Sequence, residues 1–199
     1  MLPQLIQRGD TTLPVLLQIV IWHCSCQLFP TVVETHFDRW YAKPEYFLRN
    51  QTMTRTLRFG LLGCGMMGRE HIRNLRLIGS DVVVIAEPDE AMRSKARELA
   101  PEAMLVDSLE DLLDSTQLDA LVIATPNYQH GDQLLQVFSA SELPILVEKP
   151  LVTKIEQVSD IRQAAAAHPA PVWVGMEYRF MPPMINFHQQ LDEGAIGEL

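Results

Sequence analysis

The sequence predicts a doubly wound α/β domain, a parallel sheet with helices over both faces. Three observations predict it. Short apolar runs rich in β-branched residues recur from residue 57 onward, stretches with helical periodicity lie between them, and a glycine-rich turn joins the first run to the first helix. Runs that stay apolar instead of alternating with polar residues belong to strands buried on both faces.

The runs place strands at residues 57–62, 82–86, 104–106, 120–124, 144–147 and 172–175. After the first strand, Gly68, Ile72, Leu75 and Ile78 fall on one helical face. After the fifth, Thr153 and Glu156 have the spacing of a capping box ahead of a helix carrying Ile155, Val158 and Ile161, and "QAAAAH" at 163–168 closes it. No internal repeat or low-complexity tract competes with this pattern.

Composition limits the function. With 199 residues, 47% apolar and 21% charged, the chain has room for one well-packed domain and the beginning of another. A net charge of -9 without any basic cluster argues against nucleic acid as a partner. Cys24, Cys26 and Cys64 make neither a disulfide framework nor a zinc set, so no metal is expected and a reducing, cytoplasmic setting is the simpler reading.

The first 52 residues differ from the rest. They carry four basic and four acidic side chains, whereas residues 53–199 hold 12 basic and 21 acidic ones. Their apolar stretch at 13–29 is interrupted by Pro14, Gln18, His23 and Ser25, too broken for a membrane span and lacking the marks of a signal peptide. The expectation is an N-terminal extension, with Met53 as the natural start of the domain and a targeting role for the extension as the weaker alternative.

Gly63-Cys64-Gly65-Met66-Met67-Gly68 fits G-x-G-x-x-G between a strand and a helix. The first glycine permits the sharp turn, the second lets a pyrophosphate approach the backbone, and the third lets the helix sit close to the strand. The pattern alone is weak, because any tight strand-to-helix turn favours glycine. Glu87, 19 positions after Gly68 and at the end of the second strand, is the acid that would bind a ribose 2′-hydroxyl. Its alternative role is to cap the next helix. A carboxylate there would repel a 2′-phosphate, and neither Pro88 nor Asp89 supplies an arginine to receive one, so NAD is expected over NADP. Cys64 is read as an ordinary loop residue without a redox role.

Two more strand ends point to the same edge. The fourth ends at Thr125 and Pro126, and the fifth brings Glu148 and Lys149. A lysine at that edge can hydrogen-bond a substrate hydroxyl and assist loss of its proton, or it can be a solvated charge near a turn.

The motifs "TLRFGLLGCGMMGREHIRNL", "AEPD", "VIATPNYQH", "VEKPL", "VGMEYRFMPPM" and "LDEGAIGEL" resemble, in order and spacing, the glucose-fructose oxidoreductase, inositol dehydrogenase and MocA family across residues 55–199. The resemblance implies a nicotinamide-binding Rossmann domain at 53–176 and, at 177–199, the start of an α/β substrate domain of the kind that often mediates oligomerisation. By position it implies cofactor contacts from Gly63, Gly65, Met66, Met67, Gly68, Glu87, Thr125, Pro126, Asn127, His130, Glu148 and Lys149. Lys149 would act at substrate and nicotinamide, and Arg179 would lie close to the substrate. For His130, helix capping stays open.

The implied reaction is reversible hydride transfer between nicotinamide and a sugar or cyclitol hydroxyl. Family members run well past 300 residues and draw an aspartate and a histidine from the second domain; here the sequence offers neither beyond residue 193. NAD binding without polyol turnover is therefore the expectation for this chain. The competing reading is a non-catalytic nucleotide-binding or partner-binding protein that docks on another copy or on a full-length relative.

Overall fold

The computed structural model describes residues 56–115, 117–195 and 197, with Arg179 and Phe180 described by their backbone alone. The N-terminal extension and the targeting alternative attached to it lie outside the described residues. By its contacts the chain divides at Met176: Arg55–Met176 form one compact unit, and Glu177–Leu199 belong to another.

The first unit is a six-stranded sheet: β1 (Arg58–Leu62), β2 (Asp81–Ala86), β3 (Met104–Val106), β4 (Ala120–Ile123), β5 (Ile145–Glu148) and β6 (Val172–Gly175). The helices are α1 (Met66–Leu77), α2 (Glu90–Leu99), α3 (Leu109–Ser115), α4 (His130–Ala140) and α5 (Gln157–Ala167). All pairings are parallel, in the order β3-β2-β1-β4-β5-β6. The chain winds outward from β1 to β3, crosses back, and continues from β4 to β6, so the order reverses between β1 and β4. The expected doubly wound α/β fold is the observed one.

Burial follows the strand pattern. Every residue of β4 and β5 is buried, and Leu62, Val84, Leu121, Ile123, Ile145 and Val147 share one core with Leu134 and Val137 of α4. Fully burying each such aliphatic side chain contributes about 1.5–3 kcal/mol, which outweighs the modest helix propensity of the short connecting segments. Helix α1 ends in a Schellman motif: Gly79 takes φ +75°, its N–H donates to Arg76 O, and Ser80 N–H donates to Leu75 O at 2.9 Å. The chain thereby turns directly into β2.

One local expectation is corrected. Thr153 and Glu156 form no capping box: α5 begins at Gln157, and Glu156 precedes it without a side-chain cap. A tight turn leads in instead, with Gln157 N–H donating to Lys154 O and Val158 N–H to Ile155 O. Thr153 is thus too far from the first helical turn to serve it. Ile155 is left 77% exposed, while Ile161 is buried.

The second unit contributes a 3₁₀ turn at Glu177–Phe180 and helix α6 (Pro182–Asp192), which opens with proline in its first turn. Among the described residues no helix is long and apolar enough to cross a membrane.

Candidate functional site

Parallel strands deliver their following loops to one edge, and where the strand order reverses the loops diverge and leave a crevice. The glycine turn after β1 and the Thr125 loop after β4 flank that point. Gly63 sits at φ +88°, a region side-chain-bearing residues rarely adopt, and a Cβ there would come within 2.8 Å of the Thr125 backbone. A Cβ on Gly68 would lie 2.2 Å from Gly63 O, so only glycine lets α1 approach the turn this closely. Gly65 differs: a Cβ there meets no protein atom within 4 Å. Nothing inside the fold requires glycine at 65, and the open space lies at the start of α1. That start has no side-chain cap and no acidic residue in its first turn. Its first intrahelical bond is Arg69 N–H to Gly65 O, so the N–H groups of Met66, Met67 and Gly68 precede the helical ladder and are available to a phosphate. The residues present fit a dinucleotide pyrophosphate.

Glu87 faces this turn. One carboxylate oxygen accepts from Cys64 N–H at 2.9 Å and the other from Asp89 N–H at 3.1 Å. The cap of α2 is Asp89, whose carboxylate accepts from Met92 N–H at 2.8 Å, so capping is not the role of Glu87. Burial, together with the neighbouring Glu87 charge and hydrogen bond, pushes the Cys64 thiol up to about 12, against a smaller opposing pull from Arg69. Cys64 is therefore a thiol at neutral pH and has little nucleophilic character.

On the far side of the crevice Thr125 is partly buried, and its hydroxyl donates to Gln133 Oε1. Pro126 and Asn127 are exposed, and Asn127–Gln129 form a 3₁₀ turn leading into α4. His130 is fully buried, with Nδ1 2.8 Å from Pro150 O and Nε2 2.9 Å from Thr125 O. Its ring bridges the loops after β4 and β5 and caps no helix.

Glu148 is the last residue of β5 and pairs in register with Gly175 of β6. Its carboxylate is buried and lies 2.8 Å from His71 Nε2, on the inner face of α1. Burial alone would raise this carboxyl. The hydrogen bond and charge of His71, with smaller help from the Lys149 backbone N–H and ammonium, outweigh burial and hold it below the usual 4.5. Lys149 follows, exposed and joined to Pro150 by a cis peptide bond, and its ammonium has no hydrogen-bond or ion-pair partner among the described residues. The backbone of Arg179 lies in the 3₁₀ turn of the second unit.

Residues 57–176 match the Gfo/Idh/MocA family, an oxidoreductase family with an NAD-binding Rossmann fold. The chain belongs to this family. Among curated Gfo/Idh/MocA relatives, the inositol 2-dehydrogenase of Corynebacterium glutamicum (strain R) is 36% identical over 150 residues, covering 74% of this chain and 44% of that protein. That of Arthrobacter sp. (strain FB24) is 34% identical over 151 residues, with the same two shares, 74% and 44%. Among solved structures, the scyllo-inositol dehydrogenase from Lactobacillus casei with bound cofactor NAD(H) and scyllo-inositol superposes with a TM-score of 0.65 at 23% identity, over 72% of this chain and 43% of that one. The WlbA dehydrogenase from Bordetella pertussis in complex with NADH and UDP-GlcNAcA gives 0.64 at 27%, over 70% and 43%. The chain thus spans about 44% of the length of the curated Gfo/Idh/MocA relatives it matches.

Four residues of this region lie outside the positions that the glycine motif singles out. His71 lies on the buried face of α1, three positions after Gly68, and that spacing was the available hint. Arg93 of α2 and Asp107 after β3 meet beside Glu87, and they are 14 positions apart in the sequence. Arg69 turns back to Cys64 O at 3.0 Å.

Proposed function

We propose that this chain binds NAD across the β1/β4 crevice and carries the nucleotide-side half of a polyol dehydrogenase site. The observation that supports it most is the Cys64 N–H to Glu87 contact: it joins the glycine turn to an acid at the end of β2, at the point where the strand order reverses. In this reading Gly63, Gly65, Met66, Met67 and Gly68 hold the pyrophosphate, and Glu87 accepts from the adenosine ribose. Thr125, Pro126 and Asn127 flank the nicotinamide end. His130 and Glu148, whose polar atoms are turned to protein partners, support the loops from beneath.

NAD supplies the hydride acceptor. Lys149 donates a hydrogen bond to the hydroxyl oxygen of a cyclitol or sugar and eases loss of its proton to solvent as the carbinol carbon gives up hydride, so the alcohol becomes a ketone. This division of roles supports NAD binding by the 199-residue chain and leaves turnover to a longer protein or an assembly. Exposed Met184 and Phe187, one helical turn apart on α6, favour association with another copy. The free, buried Cys64 suits a reducing, cytoplasmic setting.

Isothermal calorimetry with NAD tests the binding claim, and absence of saturable heat with folded protein would overturn it. Formation of NADH from myo-inositol by the same chain, followed at 340 nm, would overturn the claim that turnover needs more than this chain. Size-exclusion chromatography reads the association.

A further inference from the structure

The nucleotide reading of the glycine turn does not assign Arg93 or Asp107. Glu87 and Asp107 are the first residues beyond β2 and β3, which pair in register at Ala86 and Val106, and Glu87 N–H donates to Val106 O at 2.9 Å. Two acidic residues therefore leave the same sheet edge on neighbouring strands, their backbones roughly 5 Å apart. Between them sits one guanidinium. Arg93 Nη1 donates to Glu87 O at 2.9 Å and to Pro88 O at 3.4 Å, and it pairs with Asp107 Oδ1. The Asp107 side chain is 75% exposed, whereas that of Arg93 is only 24% exposed. The other nearby guanidinium, Arg69, is directed at Cys64 O and Met92 Sδ.

NAD and NADP differ only at the adenosine 2′ position: a neutral hydroxyl in one, a dianionic phosphate in the other. A carboxylate at the end of β2 favours the hydroxyl, and an arginine nearby is what accommodates the phosphate. This chain has both. We propose that Asp107 and Arg93 form a latch that sets cofactor selectivity: Asp107 holds and neutralises an arginine beside the end of β2 that could receive a 2′-phosphate.

The proposal rests on the reading that the glycine turn takes a dinucleotide, and it assigns Asp107 no contact with NAD. Two consequences separate it from a surface ion pair of no account. Removing Asp107 acts on NADP and leaves NAD alone, because a neutral 2′-hydroxyl senses neither the lost charge nor the freed guanidinium. The gain for NADP also runs through Arg93, since a planar guanidinium pairs with phosphate oxygens by two parallel hydrogen bonds.

The test is a set of equilibrium binding titrations of the whole chain with NAD and with NADP, following intrinsic fluorescence or calorimetric heat. Asp107→Ala is expected to tighten NADP about tenfold, with NAD affinity within about twofold of wild type. Adding Arg93→Ala to Asp107→Ala is expected to remove most of that gain, and Arg93→Lys to restore part of it. Asp107→Asn, which keeps the side-chain volume, serves if the alanine variant melts early. An unchanged NADP:NAD ratio in both Asp107 variants, with NAD still bound by wild type, would overturn the latch alone. So would a gain that persists without Arg93. Failure of wild type to bind NAD at all would overturn the nucleotide reading and the latch with it.

Discussion

His71 Nε2 lies 2.8 Å from Glu148 Oε1 with both side chains buried, and this contact ties the helix behind the glycine turn to the end of the strand that leads into Lys149. A carboxylate in such a place needs a partner, because an unpaired buried charge costs several kcal/mol. Gly175 on β6 makes the space: a Cβ there would lie 3.2 Å from both carboxylate oxygens. The pair thus ties the glycine turn to the lysine loop.

His71→Ala is expected to lower stability by about 3–5 kcal/mol, the range for breaking a buried pair by removing one member. Glu148→Gln, which keeps shape and one hydrogen bond, is expected to cost less. Urea unfolding followed by circular dichroism ranks the two. A surface-like loss below about 1 kcal/mol for His71→Ala would mean that the pair carries little of the fold.

The same pair predicts a dependence on acid. Because the Glu148 carboxyl sits below its usual 4.5 in the folded chain, the unfolded chain binds its proton first as pH falls. The stability it contributes is fully present above that usual value and is lost as pH drops through the depressed folded value. Wild type and Glu148→Gln should therefore converge in melting temperature on acidification from neutral pH. Parallel curves from pH 7 to pH 3 would contradict the assignment.

The strands were legible to within one residue because burial on both faces leaves β-branched and aliphatic runs with nothing polar between them, as at 120–123 and 145–147. The glycine turn was legible because its backbone demands a residue type. The pairs were not. His71 with Glu148, and Arg93 with Asp107, meet across separate elements, and each member alone looks like a solvated or core residue. The capping box failed because its spacing, though correct, is followed by a tight turn at Lys154 and Ile155 that comes between Thr153 and the start of the helix.

Cys64 should resist alkylation. Its thiol, pushed up to about 12, is almost wholly protonated at pH 8, and its side chain is buried. Brief iodoacetamide treatment followed by peptide mass spectrometry should leave Cys64 unmodified in the native chain and modify it in urea. Glu87→Gln removes the charge that adds to burial in holding the thiol up and should quicken native labelling several-fold. Equal rates in the two proteins would show that burial alone protects it.

Gly65 and Gly68 separate binding from folding within a single turn. A methyl group at 68 would strike Gly63 O at 2.2 Å, so Gly68→Ala must push α1 away from the turn, with a loss of about 1–3 kcal/mol or more. A methyl at 65 meets no protein atom within 4 Å, so Gly65→Ala should leave the melting temperature nearly unchanged. It should nonetheless weaken NAD at least tenfold, because the methyl enters the space next to the uncapped start of α1 that the pyrophosphate would take. Thermal melts and calorimetry on the two variants give four readings, and the reading that decides is the affinity of Gly65→Ala. Wild-type affinity in a stably folded Gly65→Ala chain would mean that the phosphates lie elsewhere.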